Sequence, residues 1–360
     1  MKTNPSPFRH VTAVAALLGA LAHPSFAQTT AASAPFAFVP LTVEGGGSIG
    51  SPRLSLISPT ITQPIAWQGA ISSVAISGGN TIISVAGAPW TANRFNGANG
   101  NYYAEIVTAP GNTHATGALA VITATATGSL TVPGNLTSPT VFAATGDLLR
   151  IRKETTIGDL FGATNTAGLL ASDDPTTADE VLIYDGANSL SYFYFSGNLS
   201  GNAAGWYSSG SFTPAGNVVI GPHQGVVVKR KAAAALTFTA NGVVKTGDTI
   251  FPVVNGLNVL GTVSASGLTL ATSGLYSGSA TTGVKASSDP TTADEVTIYT
   301  AGGPVKYFYY TGDASNAAGW RTSGAFALSD SVALSPGVAF ILNRKGGPSF
   351  NWSLPSPSSF

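Results

Sequence analysis

The stretch Ser172-Asp-Asp-Pro-Thr-Thr-Ala-Asp-Glu-Val181 occurs a second time as Ser287-Ser-Asp-Pro-Thr-Thr-Ala-Asp-Glu-Val296. Each copy continues into an aromatic segment, a Gly-Trp pair and a closing Arg-Lys. These matched segments are Tyr192–Phe195 and Tyr307–Tyr310, Gly205-Trp206 and Gly319-Trp320, and Arg230-Lys231 and Arg344-Lys345. A repeat of this length predicts two copies of one structural module, so any functional site must be judged copy against copy.

The residues that follow the repeated stretch predict an all-β fold. In the first copy, Glu180–Tyr184 and Ser191–Phe195 are rich in β-branched and aromatic residues and flank the turn Asp185-Gly186, which predicts a hairpin. Gly225–Lys229 predicts a further short strand. We expect antiparallel meanders that form β-sandwich or barrel-like modules, with a duplicated C-terminal unit. The best helix candidate is a single turn at Thr156–Phe161, which its glycine weakens.

Changes in composition divide the chain into five parts. The segment after the first copy contains strand-like stretches at Leu236–Thr239 and Leu257–Leu260, which we assign to the second module. We predict a signal peptide at 1–27, an N-terminal β-domain at 28–145, a first repeat module at 146–231, a second repeat module with its leading strands at 232–345, and an irregular Pro/Ser-rich tail at 346–360.

The first 27 residues have the pattern of an export signal. Lys2 and Arg9 precede an apolar run from Val11 to Ala22, which is too short for a permanent membrane anchor. Ser25-Phe-Ala27 then has the small residues that a signal peptidase requires, which predicts cleavage before Gln28. No later stretch has the length and apolarity of a transmembrane segment. The pattern predicts an exported protein that is periplasmic, cell-surface or extracellular.

The composition argues against several function classes. Charged residues make up 9% of the chain and the formal net charge is zero, so there is no basic surface for nucleic acid. Without cysteine, and with only His114 and His223 after the signal peptide, no His/Cys metal cluster can form. A Ser-His-Asp triad would have to use one of these two histidines. We therefore expect a protein that is not an enzyme and has no catalytic residues.

Clustered carboxylates in the repeated stretch could bind calcium. Asp174, Asp179 and Glu180 recur in the second copy as Asp289, Asp294 and Glu295. Calcium prefers several carboxylate and carbonyl oxygens, so one structural Ca²⁺ per copy would be chemically reasonable. The alternative is turn architecture, because Asp-Pro begins turns and the Thr-Thr hydroxyls can bond nearby backbone groups.

The aromatic strands suggest a second kind of site. Alternation along a strand places Tyr192 and Tyr194 on one face, opposite the phenylalanines that form the expected core face. This tyrosine face could stack against sugars, together with a tryptophan of the next strand. The predicted ligand-binding residues are Tyr192, Tyr194 and Trp206 in the first copy and Tyr307, Tyr309 and Trp320 in the second. The alternative is that the tyrosines cover a second layer or an intermodule seam.

The repeat resembles a known group of sequences. Ala178–Gly186, Tyr192-Phe-Tyr194, Gly205-Trp206 and Pro222–Arg230 are similar to an uncharacterised family of exported, all-β bacterial paralogues best known from verrucomicrobial genomes. Gly256-Leu-Asn258 is similar to a recurring segment of that family. The resemblance covers about residues 145–345 and implies a secreted β-module. It implies no activity and no catalytic residues.

The sequence thus favours a secreted, non-enzymatic, structural or surface-displayed β-repeat protein. The alternative is a carbohydrate-binding module protein that uses the tyrosine and tryptophan platforms, and a more distant alternative is a hydrolase. The expected partners are surface glycans or other surface proteins. Apart from a structural Ca²⁺, the sequence implies no cofactor.

Overall fold

A computed structural model describes residues 35–109, 116–136, 143–185, 188–197, 201–264, 267–300 and 302–355. The predicted signal peptide and His114 lie outside these residues. The described chain is almost entirely β-structure, as the sequence predicts. Its one α-helix has five residues, so no described helix has the dimensions of a membrane span.

The strands are short and follow one another closely. Up to the helix they are β1 (Phe36–Val43), β2 (Arg53–Ile57), β3 (Ile65–Ala70), β4 (Ser73–Ser77), β5 (Asn80–Ser84), β6 (Tyr102–Thr108), β7 (Leu119–Val121), β8 (Ala124–Ala126), β9 (Ser129–Val132), β10 (Leu148–Lys153) and β11 (Thr155–Thr156). After the helix come β12 (Glu180–Asp185), β13 (Asn188–Phe195), β14 (Gly205–Ser208), β15 (Val219–Ile220), β16 (Val226–Arg230) and β17 (Leu236–Val243). The remaining strands are β18 (Thr249–Val253), β19 (Gly256–Gly261), β20 (Leu268–Thr269), β21 (Glu295–Thr300), β22 (Gly303–Tyr310), β23 (Gly319–Thr322), β24 (Ala333–Leu334), β25 (Ala339–Arg344) and β26 (Phe350–Leu354).

The predicted helical turn is present as α1 (Ile157–Phe161). Thr156 and Asp159 form a reciprocal capping box, which satisfies backbone donors that a helix of this length cannot satisfy internally. The buried side chains Ile157, Leu160 and Phe161 attach the turn to the core of the first copy. Capping and burial together offset the cost of the glycine within the turn.

The two copies of the repeated stretch lie in two antiparallel sheets of five strands. Sheet I has the order β14-β13-β12-β16-β2, and sheet II has the order β23-β22-β21-β25-β19. The strand registers also match. Val226 pairs with Ile57 in sheet I, and its counterpart Phe340 pairs with Leu260 in sheet II. Thus β2 holds the place in sheet I that β19 holds in sheet II.

The surrounding strands follow the same plan. The ribbon β1–β17 adjoins sheet I, as β18–β26 adjoins sheet II, and the short pairs β11–β15 and β20–β24 correspond. We call β1, β2 and β11 to β17 the first unit, and β18 to β26 the second unit. The sequence assigned Leu236–Thr239 to the second module. The structure places this stretch in β17, where Leu236 and Phe238 pack against the core of the first unit.

The prediction of an irregular tail is wrong for residues 350–354. This stretch is β26, which pairs with β18, and Phe350, Trp352 and Leu354 are buried in the core of the second unit. The exposed residues Asn351 and Ser353 alternate with them. This alternation is a strand signal that the flanking prolines and serines obscure.

The eight strands β3 to β10 form a separate layer pair between β2 and β11. They make two four-stranded sheets, β3-β10-β6-β7 and β4-β5-β9-β8, which share one hydrophobic core. We call this part the inserted domain. It differs from the predicted N-terminal domain at both ends, because β1 and β2 pair with strands of the first unit while β10 pairs with β3 and β6.

The central strands of sheets I and II are buried on both faces. One face of each sheet covers the core of its own unit, and the other faces meet in a small apolar cluster of Leu56, Leu182, Val227, Val259 and Ala339. We call this contact the seam. Burial on both faces explains why the central strands are continuous apolar runs rather than alternating ones.

A buried ion-pair network joins the inserted domain to the segment between the units. The Glu105 carboxylate lies 3.1 Å from Arg152 Nε and 2.8 Å from Lys245 Nζ, and all three side chains are shielded from solvent. Burial raises the pKa of Glu105, but the two cations outweigh that effect and hold the pKa below its usual value. Because Lys245 lies between β17 and β18, this network fixes the inserted domain to the link between the units.

Glu154, at the return from the inserted domain, is a buried carboxyl group that forms no ion pair with a cation of the described chain. One of its carboxyl oxygens has no hydrogen-bond partner among the described residues, and burial raises its pKa to about 8. The native chain therefore keeps this group protonated at pH values where the unfolded chain has lost the proton. The contribution of Glu154 to the free energy of unfolding therefore falls as pH rises. The fall begins near the pKa of a glutamate in the unfolded chain, about 4.3, and continues up to its pKa of about 8 in the native chain.

We predict that Glu154→Gln becomes progressively more stabilising, relative to the unaltered protein, between pH 5 and pH 8. Glutamine cannot ionise, so the variant escapes the cost of keeping a buried carboxyl group protonated. The difference in melting temperature between the two proteins measures this effect. Glu44→Gln, at an exposed position, is the control and should show no such trend. A pH-independent difference for Glu154→Gln would contradict the assignment.

Candidate functional site

The first acidic residue of each repeated stretch organises a turn. The backbone N–H of Thr176 donates to Asp174 Oδ1 at 2.7 Å, and that of Thr291 donates to Asp289 Oδ1 at 2.8 Å. These backbone bonds, which favour the ionised form, lower the pKa of each aspartate. Ser172 and Thr177 hydroxyls close the same turn, as do their counterparts Ser287 and Thr292. Both aspartates therefore serve the turn architecture that was the alternative to calcium.

The second acidic residue of each stretch forms a buried ion pair with arginine. Arg230 Nη1 donates to Asp179 Oδ2 at 2.5 Å, and Arg344 Nη1 donates to Asp294 Oδ2 at 2.6 Å. Both carboxylates are fully shielded from solvent. We call these two pairs the hubs.

Backbone groups complete each hub. Asp179 also accepts the N–H groups of Leu170 and Lys231, and Asp294 accepts those of Lys285 and Lys345, at 2.7–2.8 Å. Arg344 donates further to the carbonyl groups of Ala280, Gly283 and Pro348. Each hub thus binds the acidic turn, the end of a central strand and the loop beyond it. A buried charge is tolerated only with such complete pairing.

The third acidic residue lies on the opposite side of the strand and pairs with lysine. Glu180 is 2.6 Å from Lys231 Nζ, and Glu295 is 2.9 Å from Lys306 Nζ. Partial burial raises the pKa of Glu180, but hydrogen bonds from Lys231 and Ser191 outweigh it and leave the pKa lowered. These carboxylates therefore form ion pairs with lysines that lie in or directly after neighbouring strands.

The six predicted calcium ligands are not assembled around a common point. Within each copy, one carboxylate bonds its own turn, one bonds arginine and one bonds lysine. Over the described ranges, no group of three or more His, Asp or Glu side chains is placed to hold a metal ion. A structural Ca²⁺ remains a prediction that nothing in these contacts requires.

The tyrosine faces of the aromatic strands are turned inward, so the open platform predicted there is not formed. Tyr192 and Tyr307 are each 6% exposed and belong to the main cores of their units. Trp206 and Trp320 are buried beside them, and Trp206 Nε1 donates to the carbonyl of Gly162. The partly buried Tyr194 and Tyr309 pack edge-on against these tryptophans. This outcome matches the alternative that tyrosines cover an inner layer.

The phenylalanine faces, expected to be the main core, instead form small clusters on the far side of each sheet. Phe193 and Phe195 are buried beneath Phe212, and Phe308 and Tyr310 are buried beneath Phe326. Phe212 and Phe326 have φ angles of 52° and 56°, which bulky residues seldom adopt. Ring contacts made in both copies offset this strain, so the half-exposed phenylalanines act as covers of the clusters.

Two matching clefts flank the seam, and the sequence did not predict them. Cleft A, of about 180 Å³, lies between β1 and β2 of the first unit and Tyr299 and Val338 of the second. Cleft B, of about 170 Å³, lies between β18 and β19 of the second unit and Tyr184 and Gln224 of the first. Tyr184 and Tyr299 hold equivalent positions, and their hydroxyl groups make no hydrogen bond to another described residue. The matched tyrosines in both repeats were the signal available from the sequence.

The polar groups of the two clefts differ. Cleft A contains the Glu44 carboxylate, whereas cleft B has Val254 at the equivalent position. Cleft B contains His223, whose ring stacks on Phe251 at 4.8 Å, whereas cleft A has Gly337 there. Burial lowers the pKa of His223 to about 4, so the imidazole is neutral at physiological pH. The two clefts therefore have similar volumes and equivalent places in the fold, but different ionisable side chains line them.

We predict that Asp294→Asn lowers the free energy of unfolding by about 3–5 kcal/mol, because Arg344 stays buried without its counter-charge. Urea unfolding followed by tryptophan fluorescence measures the loss. The control is Asp289→Asn, which removes an equal charge from the exposed turn of the same stretch and should cause a much smaller loss. Similar losses for both variants would show that the hub is not a special determinant of stability.

Comparisons of this chain with protein-family models, with curated proteins and with solved structures give no match.

Proposed function

We propose that this protein is an exported, non-enzymatic structural protein that displays two copies of a rigid β-module. The observation that carries this proposal is the use of the repeated residues. The hub aspartates, the buried aromatic residues and the Arg-Lys pairs that recur in both copies make contacts inside the scaffold. What recurs is therefore the architecture of the modules.

The chemistry of the clefts also favours a non-enzymatic role. Glycoside hydrolysis usually requires two carboxyl groups across a cleft. Among the described residues, Glu44 is the one carboxylate lining cleft A and none lines cleft B. Ser48, in the Gly-Gly-Ser-Ile-Gly stretch, lies in an exposed turn closed by a bridge to Ser51. That setting differs from the strand-turn-helix of a hydrolase nucleophile.

Export rests on the N-terminal pattern. Lys2, Arg9, the apolar run and Ser25-Phe-Ala27 are what a signal peptidase substrate requires. The mass of the protein recovered outside the cytoplasm should correspond to a chain that begins at Gln28. Ala27→Arg, which places a large charged residue at the cleavage position, should retain the leader. An exported chain of full length in the unaltered protein would contradict the assignment.

Carbohydrate binding is the second candidate, and the clefts rather than the buried tyrosine faces favour it. Tyr184 and Tyr299 are half-buried, donate no hydroxyl hydrogen bond to another residue in the described ranges, and lie beside Leu257 and Leu54. An aromatic ring with a polar tip in a shallow cleft suits a sugar ring. The size of the clefts would admit a single sugar residue or a chain end.

A glycan array separates the two candidates. The structural role predicts no retained glycan by the full-length protein. Carbohydrate binding predicts retention that Tyr184→Ala/Tyr299→Ala abolishes and that Phe212→Ala/Phe326→Ala, altering half-exposed rings away from the clefts, does not. Glycan retention that Tyr184→Ala/Tyr299→Ala abolishes and Phe212→Ala/Phe326→Ala leaves intact would overturn the purely structural proposal. Far-ultraviolet circular dichroism of both variants establishes that they are folded.

A further inference from the structure

Two backbone hydrogen bonds across the seam form a reciprocal pair, beside a further bond from the N–H of Gly225 to the carbonyl of Val259. The N–H of Gly261 donates to the carbonyl of His223 at 2.9 Å, and the N–H of Ser58 donates to the carbonyl of Gly337 at 3.0 Å. By the strand registers, Ser58 is the counterpart of Gly261 and His223 is the counterpart of Gly337. Each unit therefore gives the other the same hydrogen bond that it receives.

A second pair of contacts shows the same reciprocity. Ile57 forms a bridge with Val338, and Leu260 forms a bridge with Gln224. Ile57 corresponds to Leu260, and Gln224 corresponds to Val338. Reciprocal contacts between corresponding residues define an isologous interface, the kind found between the subunits of a twofold-symmetric dimer.

The approximate twofold axis passes between Gly225 and Ala339. These two residues are counterparts of each other, and they also face each other. A Cβ atom built on Gly225 would lie 2.4 Å from the Cβ atom of Ala339. The axis therefore has room for one methyl group, and the second unit supplies it.

We propose that the seam is an interaction surface that fits a second copy of the same unit, and that the Ala339 methyl group confines it to pairing between unlike units. Two first units would bring two glycines together on the axis. Two second units would bring two alanine methyl groups to a separation that real Cβ atoms do not reach. The pairing found in this chain, between one first unit and one second unit, places a single methyl group on the axis.

The intact chain tests the position of the axis. Gly225→Ala should lower the melting temperature, because its methyl group would overlap that of Ala339 and approach Val259 Cγ1 at 2.9 Å. The φ angle of Gly225 is outside the left-handed region, so the backbone itself accepts alanine. Adding Ala339→Gly should recover part of the lost stability, because it removes the overlap of the two methyl groups and leaves the contact with Val259 Cγ1.

The matched control for this recovery is Gly225→Ala with Ala293→Gly, which removes a buried methyl group from a cluster away from the seam. This control should be no more stable than Gly225→Ala alone. If Ala339→Gly gives no more recovery than Ala293→Gly, the two residues do not share the axis and the proposal fails.

The second unit permits a direct test of self-pairing. Its main core is drawn wholly from residues between 251 and 354, and all nine of its strands pair with one another. A fragment of residues 247–355 therefore contains a complete core. Light scattering after size exclusion should find the unaltered fragment monomeric and the Ala339→Gly fragment in a concentration-dependent dimer.

A third fragment, Ala339→Gly with Val259→Glu, places a charge in the seam and should be monomeric again. A monomeric Ala339→Gly fragment, or a dimer that survives Val259→Glu, would overturn the proposal. An unaltered fragment that already dimerises would show that Ala339 does not restrict pairing. If the fragment fails to fold, the recovery experiment on the intact chain decides the outcome alone.

Discussion

One buried carboxylate in each unit, Asp179 in the first and Asp294 in the second, determines how the surrounding segments meet. Each accepts hydrogen bonds from an arginine and from two backbone N–H groups that belong to different segments. Removing a charge from water is costly unless every lone pair finds a donor. The turn before the carboxylate and the strand that carries the arginine must therefore close together. This requirement accounts for the recurrence of the acidic stretch with a distant Arg-Lys pair.

The two hubs allow sheets that are otherwise apolar to be buried on both faces. The central strands place Val181 and Val226 in the core of the first unit and Leu182 and Val227 in the seam. Where the seam covers the second face, apolar side chains on both faces do little to control register. The hub at the end of the central strands and the reciprocal bonds across the seam supply that control.

Much of the architecture followed from local sequence signals. The all-β class, the β12–β13 hairpin and the capped turn at α1 depend on residues near one another in the chain, and all three are present. The pairing of β1 with β17 and of β2 with β16 joins residues separated by the whole inserted domain. No local pattern encodes such pairing, so the domain boundary drawn near residue 145 missed the return of the chain at β11.

The candidate site was harder to predict, for two physical reasons. Alternation along Tyr192–Phe195 separates two faces but does not say which is inner, because both are aromatic and both are buried here. Clustered carboxylates resemble a calcium site until their partners are known, and Arg230 and Arg344 are distant in sequence from the aspartates they bind. Residues of both units line each cleft, so no single segment of the sequence predicts them.

The claim that the hubs hold each unit together is tested most directly by native-state hydrogen exchange at two amides. The N–H groups of Lys231 and Lys345 donate to the buried carboxylates of Asp179 and Asp294. If the hubs open only when the unit unfolds, these amides exchange as slowly as those of Val228 and Leu342 in the central strands. Exchange at the rate of exposed turns would show that the hubs open locally and that the packed sheets hold the units together without them.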